Sequence, residues 1–172
     1  MELEASGLQI GYGEHVIVNQ MDVSIARDKI TTIIGPNGSG KTTVYNALTG
    51  VYTPTAGQVV FNGTNITGKP MYDMVHYGIA RTFQNIRLFK DQSVLDNVKV
   101  GLHNHHTYST LTGILRLPKY FKVEAEMNEK AMELLKVFGL EDEADYLASN
   151  LPYGKQRKLE IARALATEQK LL

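Results

Sequence analysis

The chain has 172 residues, with 18 basic and 18 acidic side chains, so nothing in its net charge marks it as a nucleic-acid binder. That length holds one domain with a true core rather than two. There is no cysteine, which excludes disulfides and thiolate metal sites and fits a reducing cytoplasm. No apolar run reaches the ~20 residues of a membrane span, and Met1-Glu2-Leu3-Glu4 does not open a signal peptide, so a membrane role is expected to be peripheral.

Leu3, Ala5, Leu8 and Ile10 lead into Gly11-Tyr12-Gly13, and Met21, Val23 and Ile25 alternate with Asp22, Ser24 and Ala26. Both stretches read as strands with one buried face. Tyr12 offers a ring on which a base stacks, although a hairpin tyrosine taken alone implies no such thing. Next, Ile30 to Ile34 reads as a strand, and Gly35-Pro36-Asn37-Gly38-Ser39-Gly40-Lys41-Thr42-Thr43 follows it. Gly35, Gly40, Lys41 and Thr42 fill the pattern G-x-x-x-x-G-K-[ST], in which small residues let successive backbone N–H groups point at phosphate oxygens. A helix starting near Lys41 and running through Thr43 to Thr49, with Gly50 beyond its end, adds the partial positive charge of its N-terminus. Lys41 is placed to reach the outer phosphates and the Thr42 hydroxyl to ligate Mg²⁺, so the loop suits a nucleoside triphosphate.

Further on, Pro54 to Gly57 predicts a turn, Gln58 to Phe61 a strand and Asn62-Gly63 a hairpin turn. Pro70 fits the first turn of a helix running to Tyr77, with Gly78 ending it. Ile79 to Phe83 reads as a short buried strand with Gln84 at its end, where parallel α/β sheets line their ligand crevice; a loop glutamine is the alternative there. Ser93-Val94-Leu95-Asp96 starts a helix to about Leu102. His103-Asn104-His105-His106 suits a solvated loop better than a metal site, because its spacing fits no single helix face. Thr107 to Tyr120 reads as an irregular insertion. Lys122 to Phe138 is an amphipathic helix with Met127, Ala131, Leu134, Leu135 and Phe138 on one face and Gly139 as its stop. Finally, a glycine turn at Leu151-Pro152-Tyr153-Gly154-Lys155-Gln156 feeds a helix with Leu159, Ala162, Leu165 and Ala166 turned inward.

The phosphate loop, Gln84 at a strand end and the Leu151 to Gln156 turn, in that order and spacing, resemble the ATP-binding-cassette (ABC) ATPases across essentially the whole chain. The stretch Ile79 to Phe89 and the Tyr153-Gly154 variant look like the ATPase subunits of branched-chain amino-acid importers. Urea and other amide importers are close rivals, and ABC ATPases without a transport role are a further alternative. The resemblance implies an α/β fold: a P-loop NTPase core with an antiparallel β subdomain (about 1–84) and a helical subdomain (85–172), within one cassette whose C-terminal part is missing. It implies ATP and Mg²⁺ as cofactors. Tyr12 would stack on adenine, and Gly35, Asn37, Gly38, Ser39, Gly40, Lys41, Thr42 and Thr43 would hold the phosphates. Thr42 and Gln84 would meet Mg²⁺, with Gln84 also coupling to the attacking water. Leu151, Pro152, Tyr153, Gly154, Lys155 and Gln156 correspond to the signature motif, usually L-S-G-G-Q, which meets the ATP of a second subunit in a head-to-tail dimer; Pro152 lacks the hydroxyl and N–H of the usual serine, so weaker engagement is expected.

Implied partners are that second subunit, membrane permease subunits and, indirectly, a solute-binding protein, with no nucleic acid. The implied location is cytoplasmic, peripheral on the inner face of the cell membrane. The segment from Gln84 to about Tyr120, with Leu88 and Phe89, would dock a membrane subunit's cytoplasmic helix, the alternative being that these two side chains pack into the chain's own core. The apolar strand leading to the Walker B aspartate and catalytic glutamate would begin at Leu171-Leu172. The 172 residues are therefore expected to bind ATP without hydrolysing it.

Overall fold

A computed structural model describes residues 2–13, 15–82, 85–103 and 116–172, with the side chain of Tyr12 left undescribed. The chain forms two compact units, Met1–Tyr77 and Gly78–Leu172.

In the first unit the described strands form one antiparallel sheet in the order β2-β1-β3-β4. The strands are β1 (Leu3–Tyr12), β2 (His15–Ile25), β3 (Ala56–Phe61) and β4 (Thr64–Asn65). Strand β1 is central because its apolar residues fit a buried face, but not by simple alternation. Leu3 and Ala5 are buried, and so are Leu8 and Ile10, which puts an odd step between Ala5 and Leu8. The pairing with β2 slips at that step, and an extra residue is absorbed at Gly7, whose φ of 59° is costly for any residue with a Cβ. The Gly7 N–H, lost to the ladder, donates to Asp22 Oδ1 at 2.7 Å. Asn62 and Gly63 both have positive φ, 47° and 78°, as the tight turn joining β3 to β4 demands.

Helix α1 (Lys41–Leu48) packs on β1 and β2, burying Val44, Ala47 and Leu48. It ends in two reverse hydrogen bonds, Val51 N–H to Asn46 O at 2.8 Å and Gly50 N–H to Ala47 O at 3.4 Å, closing around the left-handed Gly50. The helix after Pro70 is broken into a 3₁₀ turn, Met71–Asp73, and the short α2 (Met74–Tyr77). Ile30 to Ile34, expected to be a strand, is not one: residues 26–36 pair with no strand among the described residues, and Ile30 is 99% and Ile34 87% exposed. A β-branched run supplies propensity, but a strand exists only where a neighbour exchanges hydrogen bonds with it.

The second unit is built around helices α3 (Val94–Leu102), α4 (Pro118–Phe138) and α5 (Tyr153–Ala166). Their shared core holds Val94, Val98, Leu102, Met127, Ala131, Leu135, Leu140, Leu159 and Ala162. Ser93 caps α3, its hydroxyl accepting from Asp96 N–H at 3.0 Å. Helix α4 starts four residues before the expected Lys122, because Pro118 sits in the first turn where its missing N–H costs nothing; Pro118 to Tyr120 are therefore helix, not irregular insertion. Gly139 (φ 62°) stops α4 as expected. Helices α3 and α5 cross at Gly101, where an added Cβ would lie 2.5 Å from Arg163 O and 2.8 Å from Ala166 Cβ. Leu165 is 40% exposed rather than inward. Ile79 to Thr82, the described part of the expected Ile79 to Phe83 strand, is likewise no strand. Ile79 and Ala80 are buried, but Ile79 makes only a single parallel bridge to Leu171, with Ala80 N–H on Leu171 O at 2.8 Å. Phe83, Gln84 and the run 104–115, which includes Asn104, His105 and His106, lie outside the described residues.

Candidate functional site

In the first unit the features of the expected phosphate loop converge on the start of α1. Gly40 is the N-cap, held left-handed (φ 85°, ψ 4°) with Ile17 Cγ2 and Val18 Cγ2 only 3.3 Å from where a Cβ would stand. No side chain caps the helix and no acid lies in its first turn. Indeed, no acidic residue occurs between Asp28 and Asp73. The N-terminal N–H groups of α1 and the positive end of its dipole are therefore not neutralised by their own segment.

The Lys41 ammonium folds back over the loop, donating to Gly35 O at 2.8 Å and Pro36 O at 2.7 Å. The loop closes on itself through Ser39 N–H to Pro36 O at 3.3 Å, and an added Cβ on Gly35 would meet Ser39 Oγ at 2.7 Å. Asn37, Gly38, Ser39 and Thr42 are exposed, and Thr43 is half-buried. Around Gly38 (φ 81°) nothing lies within 4 Å of an added Cβ, so an anion has room to approach the backbone there. These residues fit a bound phosphate chain: a cation already positioned, uncapped donors and open space. Beside the loop, Ile17, Val18, Met21, Ile33, Ile34, Lys41 and Val44 line a hollow of about 390 Å³. Tyr12 ends β1 opposite His15, at the tip of the β1–β2 hairpin; an added Cβ on the preceding Gly11 would stand 2.6 Å from His15 O.

In the second unit the segment 151–156 differs from the expected glycine turn. Pro152 is the N-cap of α5 and its carbonyl accepts from Lys155 N–H (2.9 Å) and Gln156 N–H (3.0 Å), so Tyr153, Gly154, Lys155 and Gln156 are the first helical turn. Proline is pre-set for such a start and Gly154 has no positive φ, so the helix begins earlier than a flexible glycine would suggest. Nothing lies within 4 Å of an added Cβ on Gly154, so the fold itself does not demand glycine there. Leu151 is buried, Tyr153 is 70% exposed, the Lys155 ammonium pairs with Glu143, and the Gln156 amide donates to Leu151 O at 2.8 Å. Leu88 is partly buried against the helical core whereas Phe89 is exposed, which divides the pair the sequence treated alike.

Two residues that sequence reasoning passed over organise this unit. Asn97, fully buried, accepts from Phe89 N–H and donates to Phe89 O and Ser93 O, all at 2.9–3.0 Å. Arg163 donates to Arg87 O and lies 5.6 Å from the centre of the Phe89 ring. Burial pulls the Arg163 pKa down from its ordinary value, the Glu160 carboxylate opposing it. The one available signal was a polar residue at each buried-face position of a helix, which no motif flags.

A glycine loop opening onto an uncapped helix, in a mixed α/β chain with an antiparallel sheet and a helical unit, defines a P-loop nucleotide-binding cassette. Residues 18–172 match the family described as ABC transporter, and the chain belongs to that family. It is 39% identical over 170 residues to the high-affinity branched-chain amino acid transport ATP-binding protein BraF of Pseudomonas aeruginosa, and 37% identical over 170 residues to LivG of Escherichia coli K12, which bears the same description. Each match covers 99% of this chain and 67% of the relative. The solved ADP conformation of MJ1267, an ATP-binding cassette of an ABC transporter, is similar with a TM-score of 0.79 at 34% identity, covering 98% of this chain and 65% of that one. The chain thus spans about two thirds of the length of the relatives it matches. No helix among the described residues is long and apolar enough to cross a membrane.

Proposed function

We propose that this chain is the ATP-binding subunit of an ABC importer that couples ATP binding and hydrolysis to uptake of branched-chain amino acids. The observation that carries the reading is the Lys41 ammonium poised on two loop carbonyls above an uncapped, acid-free helix start, in a chain 39% identical to a subunit of that description. When bound, ATP with Mg²⁺ supplies the phosphoanhydride bond whose cleavage drives transport. The backbone N–H groups from Asn37 to Thr42, with Gly35, Gly38, Gly40 and Thr43 shaping the loop, hold the phosphates. Lys41 exchanges its carbonyl partners for phosphate oxygen. Thr42 and Gln84 hold Mg²⁺, Tyr12 stacks on the base, and Leu151 to Gln156 meet the nucleotide of a second subunit. The cassette, approximately 1–84 core and 85–172 helical, works at the inner face of the membrane with permease subunits, Phe89 being the exposed apolar contact toward them.

Hydrolysis requires a carboxylate near the Mg²⁺ shell and a group that polarises water. No acid occurs between Asp28 and Asp73, Asp96 is engaged by Ser93, and Glu160 is buried on Arg157. We infer that residues 1–172 by themselves bind ATP without turning it over. Phosphate release from these residues at the level of a Lys41→Ala control is the expected result, and release above it contradicts the assignment. For the importer, vesicles carrying the membrane subunits and the solute-binding protein should take up leucine on addition of ATP; uptake of urea without leucine would move the chain to the amide importers.

A further inference from the structure

Residues 86–89 lie in neither helix nor sheet, so the backbone of Phe89 has no ladder to bond to. One side chain supplies a substitute. A carboxamide carries the same donor and acceptor pair as a peptide group, and Asn97 of α3 uses both: its Oδ1 accepts from Phe89 N–H and its Nδ2 donates to Phe89 O, each at 3.0 Å. The same Nδ2 donates to Ser93 O at 2.9 Å, which ties the N-cap residue of α3 into the exchange. Asn97 is fully buried and shares its helix with the fully buried Val94 and Val98, so its side chain stands on a fixed base. Other contacts hold neighbouring points: Gln92 N–H also reaches Phe89 O at 3.2 Å, residues 90–95 pair with 144–149, and Arg163 lies against the ring. None of them touches the Phe89 N–H.

We propose that Asn97 is a positioning residue for docking: by acting as the missing backbone neighbour of Phe89, it fixes where the exposed Phe89 ring stands before the membrane subunits arrive. Leu88 packs against the helical core while the Phe89 ring is 47% exposed, so the two side chains part at this peptide, and the direction of the ring follows the amide plane that Asn97 holds. A contact residue already held in place loses less conformational freedom when a partner binds, which strengthens the binding. Asn97→Leu keeps nearly the same shape but offers no polar atom, leaving the Phe89 N–H without its partner. The proposal rests on the reading of Phe89 as an apolar contact toward the membrane subunits.

Amide hydrogen exchange and titration with detergent-solubilised membrane subunits, both on the full subunit, test it together. In the parent the Phe89 amide should exchange slowly. In Asn97→Leu it should exchange like an unprotected loop amide while those of Leu102 and Leu135, inside α3 and α4, stay protected, a local loss that general destabilisation would not produce. The same variant should need roughly two- to tenfold more membrane subunits for half-maximal docking, the factor one net hydrogen bond carries, with KM for ATP unchanged. Asn97→Asp keeps the acceptor for the Phe89 N–H and loses at least one of the two donations. It should therefore protect that amide, dock between the parent and Asn97→Leu, and carry the docking test where Asn97→Leu does not fold. A protected Phe89 amide in Asn97→Leu overturns the proposal. So does parental docking by Asn97→Leu, or by Asn97→Asp where the former does not fold, when Phe89→Ala docks more weakly. If Phe89→Ala itself docks as the parent does, the reading of Phe89 as the membrane contact is what fails, and the proposal falls with it.

Discussion

Helices α1 and α5 both begin without a side-chain cap or an acid in the first turn, but they differ in the residue that precedes them and in what holds their lysine. Helix α1 follows a left-handed glycine, has no cap and no acid nearby, and carries a lysine parked on carbonyl oxygens, which are weak partners that an anion displaces. Helix α5 follows a proline whose carbonyl already binds two N–H groups, and its lysine is paired with the carboxylate of Glu143. The α1 lysine rests on neutral carbonyl oxygens, whereas the charge of the α5 lysine is answered by a carboxylate. The contrast fits the proposal that the first unit carries the primary nucleotide affinity.

The two units should therefore respond separately to mutation. Leu159→Ala, at a fully buried position of the helical core, should lower stability by about 2–5 kcal/mol. The test is denaturant unfolding followed by helical signal; under conditions where the variant is folded, its ATP affinity should match the parent. A parallel loss of affinity would break the division. Within the first unit, Tyr12→Ala should weaken ATP binding by about 1–3 kcal/mol and Tyr12→Phe should barely change it, read by titration of a fluorescent ATP analogue. If the alanine variant binds as tightly as the parent, Tyr12 is only a hairpin residue. Ser93→Ala removes the α3 cap and should cost about 1 kcal/mol in thermal stability with no effect on nucleotide. Smallest of all, Lys155→Ala should change stability by a few tenths of a kcal/mol, since its ion pair is partly exposed, and should leave ATP affinity of the isolated chain untouched. A loss of affinity there would mean that the two helix starts are not chemically distinct after all.

Much of this division was legible in the sequence, because its signals are local. The glycine loop, the Gly50 and Gly139 stops, the Ser93 cap and the Asn62-Gly63 turn each follow from backbone conformations or donors supplied within a few residues. What misled were signals that need a distant partner. Ile30 to Ile34 and Ile79 to Phe83 have the apolar, β-branched character of buried strands, yet pairing, not propensity, makes a strand, and the described residues provide only the Ile79 to Leu171 bridge. Gly154 read as a turn because glycine usually marks one, whereas Pro152 had already set the helix. Asn97 and Arg163 were missed because their partners, Phe89 and Arg87, are eight and 76 residues away and no spacing rule links them.

The account's central claim is that the loop from Gly35 to Thr43 holds the phosphates of ATP through Lys41. Calorimetric titration of the chain and of Lys41→Ala with ATP in the presence of Mg²⁺ tests it directly. A charge-assisted contact to phosphate is worth roughly 1.5–3 kcal/mol, so the variant should bind at least about tenfold more weakly while unfolding at the same denaturant concentration in the absence of nucleotide. Equal affinity of the two proteins for ATP would contradict it.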